Sequence, residues 1–180
     1  SDAIGEASFA MGKDSISTGI YSVAMGEIAH SAGANSVAIG SIVDANGVKS
    51  LAIGSNSVSA SDKSIAIGDI NVAGSVGNGE AIAIGVSNNS TGTSSISLGN
   101  SNTVSSTGGT ALGSSNSVIG DYAFAQGKGN NVRSTSSIGI GYQNSVAVAS
   151  NYAVAIGDEN IVSASHGVAI GSTNTSSAAD

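Results

Sequence analysis

A small residue, a bulky apolar one, a small one, a bulky apolar one and a glycine recur twelve times along this 180-residue chain. Ser36, Val37, Ala38, Ile39 and Gly40 form a representative copy. The copies close at Gly12, Gly26, Gly40, Gly54, Gly68, Gly85, Gly99, Gly113, Gly127, Gly141, Gly157 and Gly171. Successive glycines are 14 residues apart, except for one spacing of 17 (Gly68 to Gly85) and one of 16 (Gly141 to Gly157). Alternation of period 2 is that of a β-strand, so Val37 and Ile39 share one face while Ser36 and Ala38 share the other. The nine residues between regular copies have room for a second short strand and two turns. A fixed period of this kind marks a solenoid, in which each coil is completed only by its neighbour. The expected fold is all-β: a parallel β-roll of about 12 coils, roughly 55 Å long at the spacing of paired strands.

The first bulky column runs from Phe9 to Val168 and contains Thr110; the second runs from Met11 to Ile170 and contains Gln126. The small column between them is Ala or Ser except at Gly139. Hydrophobic burial predicts bulky columns facing inward and an outer Ala/Ser ladder, smooth enough for another backbone to approach. The closing glycines suit a position that needs positive φ or lacks room for a Cβ. A lone apolar residue follows the glycine by four positions at Ile16, Val58 and Val72. It follows by five at Val104, Val118, Val132, Val146 and Val162. Since a one-residue shift exchanges faces, a turn is expected to change length near the 17-residue spacing.

Composition changes the picture in a few ways. With 26 Gly, no Pro, Cys or Trp and 9% charged residues, the chain would read as a flexible linker without the periodic Val, Ile and Leu. The net charge of −7 is dispersed, and five basic residues cannot form a phosphate-tracking groove, so nucleic acid is not an expected partner. Without cysteine there is no disulfide framework and no thiolate metal site. No apolar run is long enough to span a bilayer, and the repeat begins near residue 1 without a signal peptide.

Ser36 to Gly40 preceded by Asn35, together with Ser64-Ile65-Ala66-Ile67-Gly68 and Ala153-Val154-Ala155-Ile156-Gly157, resembles the head repeat of YadA-like trimeric autotransporter adhesins. The resemblance covers residues 3–172. It implies a left-handed parallel β-roll, where the general crossover rule would favour the right-handed form. It also implies a homotrimer displayed on the surface of a Gram-negative bacterium and anchored in its outer membrane. Such heads bind host extracellular-matrix proteins (collagen, fibronectin, laminin) or cell-surface receptors. Residues 1–180 then read as a single head domain with a polar tail at 173–180. The neck, heptad stalk and membrane anchor of the family have no counterpart here, so any membrane attachment would come through an anchor outside this chain.

Recognition in a solenoid sits where the core does not dictate the residue. The position before each motif holds Tyr21, Lys49, Lys63, Tyr122, Tyr152 and His166; the position after each glycine holds Lys13, Lys128 and Tyr142. Tyr122, Tyr142 and Tyr152, on three consecutive coils, are candidates for an aromatic patch facing a partner. Alternatively the rings cover coil edges or pack across a trimer seam. The long spacings place extra residues within 71–79, including Asn71 and Asn78, and within 145–151; these are binding loops or simple bulges. Lys49 and Lys63 form either an anion site or a solvated surface, with Asp44 and Asp62 near enough to offset their repulsion. Gln126 reads as a buried amide with a backbone partner, or as a side chain meeting its copies at a trimer axis.

No catalytic residues, metal ligands or cofactor are expected. His30 and His166 lie ten coils apart, Asp158-Glu159 has no second acid–base partner, and no serine stands in a nucleophile-elbow motif. Acyltransferase β-helices need six-residue rungs, and calcium-binding rolls need Gly/Asp nonapeptides. An ice-binding solenoid needs an unbroken Thr column, absent here. A spacer that only extends a surface fibre remains the nearest alternative.

Overall fold

The computed structural model describes residues 1–75, 77 and 79–177. Twenty-three strands, all paired in parallel, form one sheet that winds into a solenoid. Most coils combine a five-residue motif strand, such as Leu51–Ser55 or Ile138–Tyr142, with a two-residue strand, such as Val58–Ser59 or Ser145–Val146. In Val23–Ser31 and Val37–Ala45 the two run together around the corner. Pairing continues beyond Gly171, where Thr175–Ser176 lies on Ile161–Val162.

The register is unbroken through both long spacings. Ile65 pairs with Ile82 and Val72 with Asn89; Ile138 pairs with Val154 and Ser145 with Ile161. The extra residues are absorbed entirely in the turn between the short strand and the next motif. The expected change of turn length that would exchange faces does not occur. Instead, the contents of the positions change: Val58 and Val72 point outward, whereas Val104, Val118 and Val132 at the next position point inward.

The two faces of the motif strand are the reverse of the expectation. Ala24, Ala38, Ala52, Ala66 and Ala83 are fully buried, while the bulky columns are half-buried to exposed, with Ile84 at 37%. Alternation defines two faces but not which one is inside. In a coil this flat the opposing sheet is too near for two layers of large side chains, so the small column fills the interior. Serine pairs span the first coils, with Oγ–Oγ distances of 2.6 Å for Ser17–Ser22 and Ser31–Ser36. Where valine replaces serine, glycine makes room: Gly109 faces Val104, Gly139 faces Val132 and Gly167 faces Val162. The core is therefore Ala, Ser, Val and Asn, rather than the two bulky columns.

Left-handed backbone recurs at fixed places. Each motif glycine has φ between 114° and 138°, and a Cβ on Gly40 would collide with the Gly54 carbonyl oxygen. The position before the motif is left-handed in every coil, as at Tyr122 (φ 56°) and Ser136 (φ 54°), and so is the second position after the glycine, even at Ile28, Ile42 and Ile70. Such residues cost about 1–2 kcal/mol each relative to ordinary backbone. The conformation lets each N–H bond the preceding coil: Tyr122 N donates to Thr107 O at 2.8 Å and Ile70 N to Ser55 O at 2.9 Å.

An asparagine ladder closes the other corner. Asn71, Asn88, Asn102, Asn116, Asn130, Asn144, Asn160 and Asn174 stand three residues after successive motif glycines. The Asn102 Nδ2 donates to Leu98 O (3.1 Å), Gly113 O (2.8 Å) and Asn88 Oδ1 (3.0 Å), and its own Oδ1 accepts from Asn116 N and Nδ2. Buried amides are stable only when satisfied in this way. The equivalent positions in the first coils are Ser15, Ala29, Val43 and Ser57.

Candidate functional site

The motif strand separates two columns of variable side chains. Tyr21, Lys49, Lys63, Tyr122, Tyr152 and His166 occupy its leading end, whereas Lys128 and Tyr142 occupy its trailing end, with Tyr142 paired in register with Lys128 and Asp158. The structure therefore divides the expected three-tyrosine patch. Tyr122 and Tyr152 share one edge with Ser136 between them, and Tyr142 stands at the other, where the Lys128 ammonium lies 5.9 Å from its ring centre. Tyr21 is exposed on the same edge as Tyr122, seven coils away, so it joins neither group.

Both insertions fall in the turn that leads into the Tyr122 edge, which concentrates irregular backbone and varied chemistry on one side of the roll. Asn71 is not part of an exposed loop: it is fully buried as the first rung of the asparagine ladder. Asn78 lies outside the described residues. A shallow depression beside the first insertion is lined by Asn46, Gly47, Ser61, Asp62 and Gly79.

Lys63 is paired with an acid on the neighbouring coil. Lys63 Nζ sits 2.9 Å from Glu80 Oε1, and this hydrogen bond raises the lysine pKa and lowers that of Glu80. Asp62 Oδ1 accepts from Val48 N at 2.8 Å while its charge adds to that of Glu80 in raising the Lys63 pKa, and Asp44 pairs with His30 at 3.2 Å. Among the described residues no three His, Asp or Glu side chains converge to hold a metal ion. His166 instead stacks on Tyr152, with ring centres 5.1 Å apart and planes 22° apart.

The outward bulky columns form an apolar face along the roll, interrupted by Thr110 and Gln126. Gln126 is exposed on this face, not buried against a backbone partner. Isolated soluble chains rarely expose a contiguous apolar surface beyond a few hundred Å². The asparagine column was missed by a reading centred on the motif, although Asn at a constant offset from eight motif glycines is visible in the sequence.

A regular parallel roll with a filled interior, one long outward face and variable turn columns defines a β-solenoid repeat protein. The family model described as YadA head domain repeat (2 copies) matches residues 3–27, 17–41, 45–69, 79–102, 90–116 and 149–174. These matches cover well over half of the chain, which belongs to the YadA head family. No curated protein sequence matches it. The longest internal stretch outside the matches, 117–148, keeps the same register and contains Gln126, Gly139, Tyr122 and Tyr142.

Proposed function

We propose that this chain is the non-enzymatic head of a trimeric autotransporter adhesin, a left-handed roll displayed on the surface of a Gram-negative cell. Three copies pack around a common axis through the outward bulky columns, and the turn columns meet host extracellular-matrix proteins or cell-surface receptors. Membership of the YadA head family supports the adhesin role. The observation that carries the assembly is the facing of the motif strand. Val, Ile and Leu point away from a core filled by alanine, and only further copies of so regular a surface would cover them along their full length. The association surface is thus the bulky face, not the Ala/Ser ladder expected from the sequence.

Sedimentation equilibrium at micromolar concentration should give three times the 17.1 kDa chain mass. A stable monomer would defeat the assembly. Adhesion is tested separately with the head fused to a trimerising coiled coil, on surfaces coated with collagen, fibronectin or laminin and on host cells. Trimers that bind none of these would leave the head as a fibre spacer.

A further inference from the structure

At the leading edge His166 stacks on Tyr152 at about the pitch of the coils, and the short Ser136 side chain stands between Tyr152 and Tyr122. The column reads Gly108, Tyr122, Ser136, Tyr152, His166. All five positions are left-handed, with φ between 54° and 63°. Each backbone N–H is fixed to the preceding coil: Ser136 N to Asp121 O at 2.8 Å, Tyr152 N to Thr135 O at 3.1 Å and His166 N to Asn151 O at 2.8 Å. The His166 and Tyr152 rings, 5.1 Å apart, already show stacking at about one coil spacing. At the other end the Tyr122 ring lies over Gly108, where a Cβ would stand 2.7 Å from Tyr122 Cδ1.

Between Tyr122 and Tyr152 only the short Ser136 side chain intervenes. Two coils separate the tyrosines by about 9.6 Å. A ring placed midway would lie about 4.8 Å from each, inside the roughly 4.5–7 Å range of favourable ring contacts. Both tyrosines are exposed, Tyr122 at 68% and Tyr152 at 58%, so the slot is open to solvent. Its rim is polar and anchored on the Tyr152 side, where Asn151 Oδ1 accepts from Thr135 N at 3.2 Å, whereas the Asp121 carboxylate turns toward the Gly108 coil, accepting from Thr107 N at 2.9 Å.

We propose that Tyr122, Ser136 and Tyr152 form a binding slot for the pyranose ring of an uncharged glycan. A hexose offers what the slot asks for, an apolar C–H face to lie against a tyrosine and a rim of hydroxyls to meet Ser136 and Asn151. The net charge of −7 disfavours acidic sugars and phosphorylated ligands. The 16-residue spacing contributes by placing Asn151 and Val148 in the enlarged turn that carries Tyr152. The biological setting rests on the adhesin reading, but the slot belongs to one chain and is tested there.

The test uses the full chain with methyl β-galactopyranoside as probe, followed by saturation-transfer NMR at millimolar concentration, with phenol as a second probe. Transfer to the C–H-rich face of the sugar is expected, with at least a tenfold weaker affinity in Ser136→Tyr. That substitution fills the slot in a column where Tyr21, Tyr122 and Tyr152 already adopt the required φ. Tyr152→Ser should weaken binding similarly, and Tyr142→Ser should leave it unchanged. No transfer to the galactoside, transfer insensitive to Ser136→Tyr, or binding of phenol alone would each overturn the assignment. Adhesion and trimer formation would remain intact in any of these cases, which separates failure of the slot from failure of the head.

Discussion

Val132 and Gly139 share one space from opposite sides of the roll: a Cβ on Gly139 would lie 2.7 Å from Val132 Cγ2. The only glycine in the small column therefore answers a valine on the facing strand. Gly139→Ala should destabilise the chain by about 1–3 kcal/mol through overpacking. Adding Val132→Ala should recover much of that loss, which a double-mutant cycle by chemical denaturation would measure. Strictly additive losses would show that the two positions are independent.

The asparagine ladder makes a different demand. In Asn116→Leu, the Leu112 and Gly127 carbonyls and Asn102 Oδ1 each lose the Nδ2 donor, and Asn130 N and Nδ2 lose their Oδ1 acceptor. The expected loss is about 2–4 kcal/mol, from buried polar groups left unpaired. Hydrogen exchange should become faster in the coils on either side. Unchanged exchange at Asn102 and Asn130 would mean that the ladder does not couple neighbouring coils.

Ser97 stands in the alanine column between Ala83 and Ala111, fully buried, and its hydroxyl finds no partner among the protein groups. Ser97→Ala should stabilise the roll by about 1 kcal/mol. The thermal midpoint is a sufficient readout, and a decrease would contradict the assignment.

Neighbouring residues of one strand test the direction of the two faces. Ala83→Leu should cost about 3 kcal/mol or prevent folding, because Ala83 is fully buried. Ile84→Lys should leave the fold of the single chain within about 0.5 kcal/mol, since Ile84 is 37% exposed, while abolishing self-association. Circular dichroism and sedimentation together separate the effects, and the opposite pattern would reverse the faces.

The Lys63–Glu80 pair should be visible to titration and nearly silent in stability. Glu80 is lowered by its hydrogen bond to Lys63, so its contribution is present above the ordinary carboxylate pKa and lost as pH falls through the lowered value. Lys63 is raised, so its contribution is present below 10.5 and lost as pH rises through the raised value. Between those limits stability from the pair is flat with pH. Lys63→Met should return the Glu80 carboxylate resonance to ordinary titration without moving the thermal midpoint, because both groups are solvent-exposed. A clear drop in the midpoint would show the pair to be structural.

The sequence made the coil, its strands and its parallel stacking legible because glycine recurs at a spacing that only a solenoid satisfies. It did not show which way Val37 and Ala38 face. That depends on the distance to the opposite sheet, a property of two strands together and not of either pattern alone. Val72 and Val104 look like a slip in register, yet the pairing of Val72 with Asn89 and of Ser90 with Val104 shows constant phase with exchanged contents. The candidate site was partly visible. Tyr122 and Tyr152 share a column in the sequence, but Tyr142 belongs to the other end of the strand, and consecutive coils do not imply a common edge. Asn71 appeared to belong to the insertion because spacing counts do not reveal where extra residues leave the register.

The asparagine column also gives the roll unequal ends. From Asn71 to Asn174 each coil is tied to the next by side-chain amides as well as backbone, whereas the coils of Ala29 and Val43 are joined there by backbone alone. Stretched along its axis, the roll would yield first at those early coils, uncoiling one 14-residue loop at a time while the laddered part kept its shape. An attached load would thus meet a compliant segment ahead of a stiff one, a mechanical gradient set by the choice of one amino acid at one repeated position.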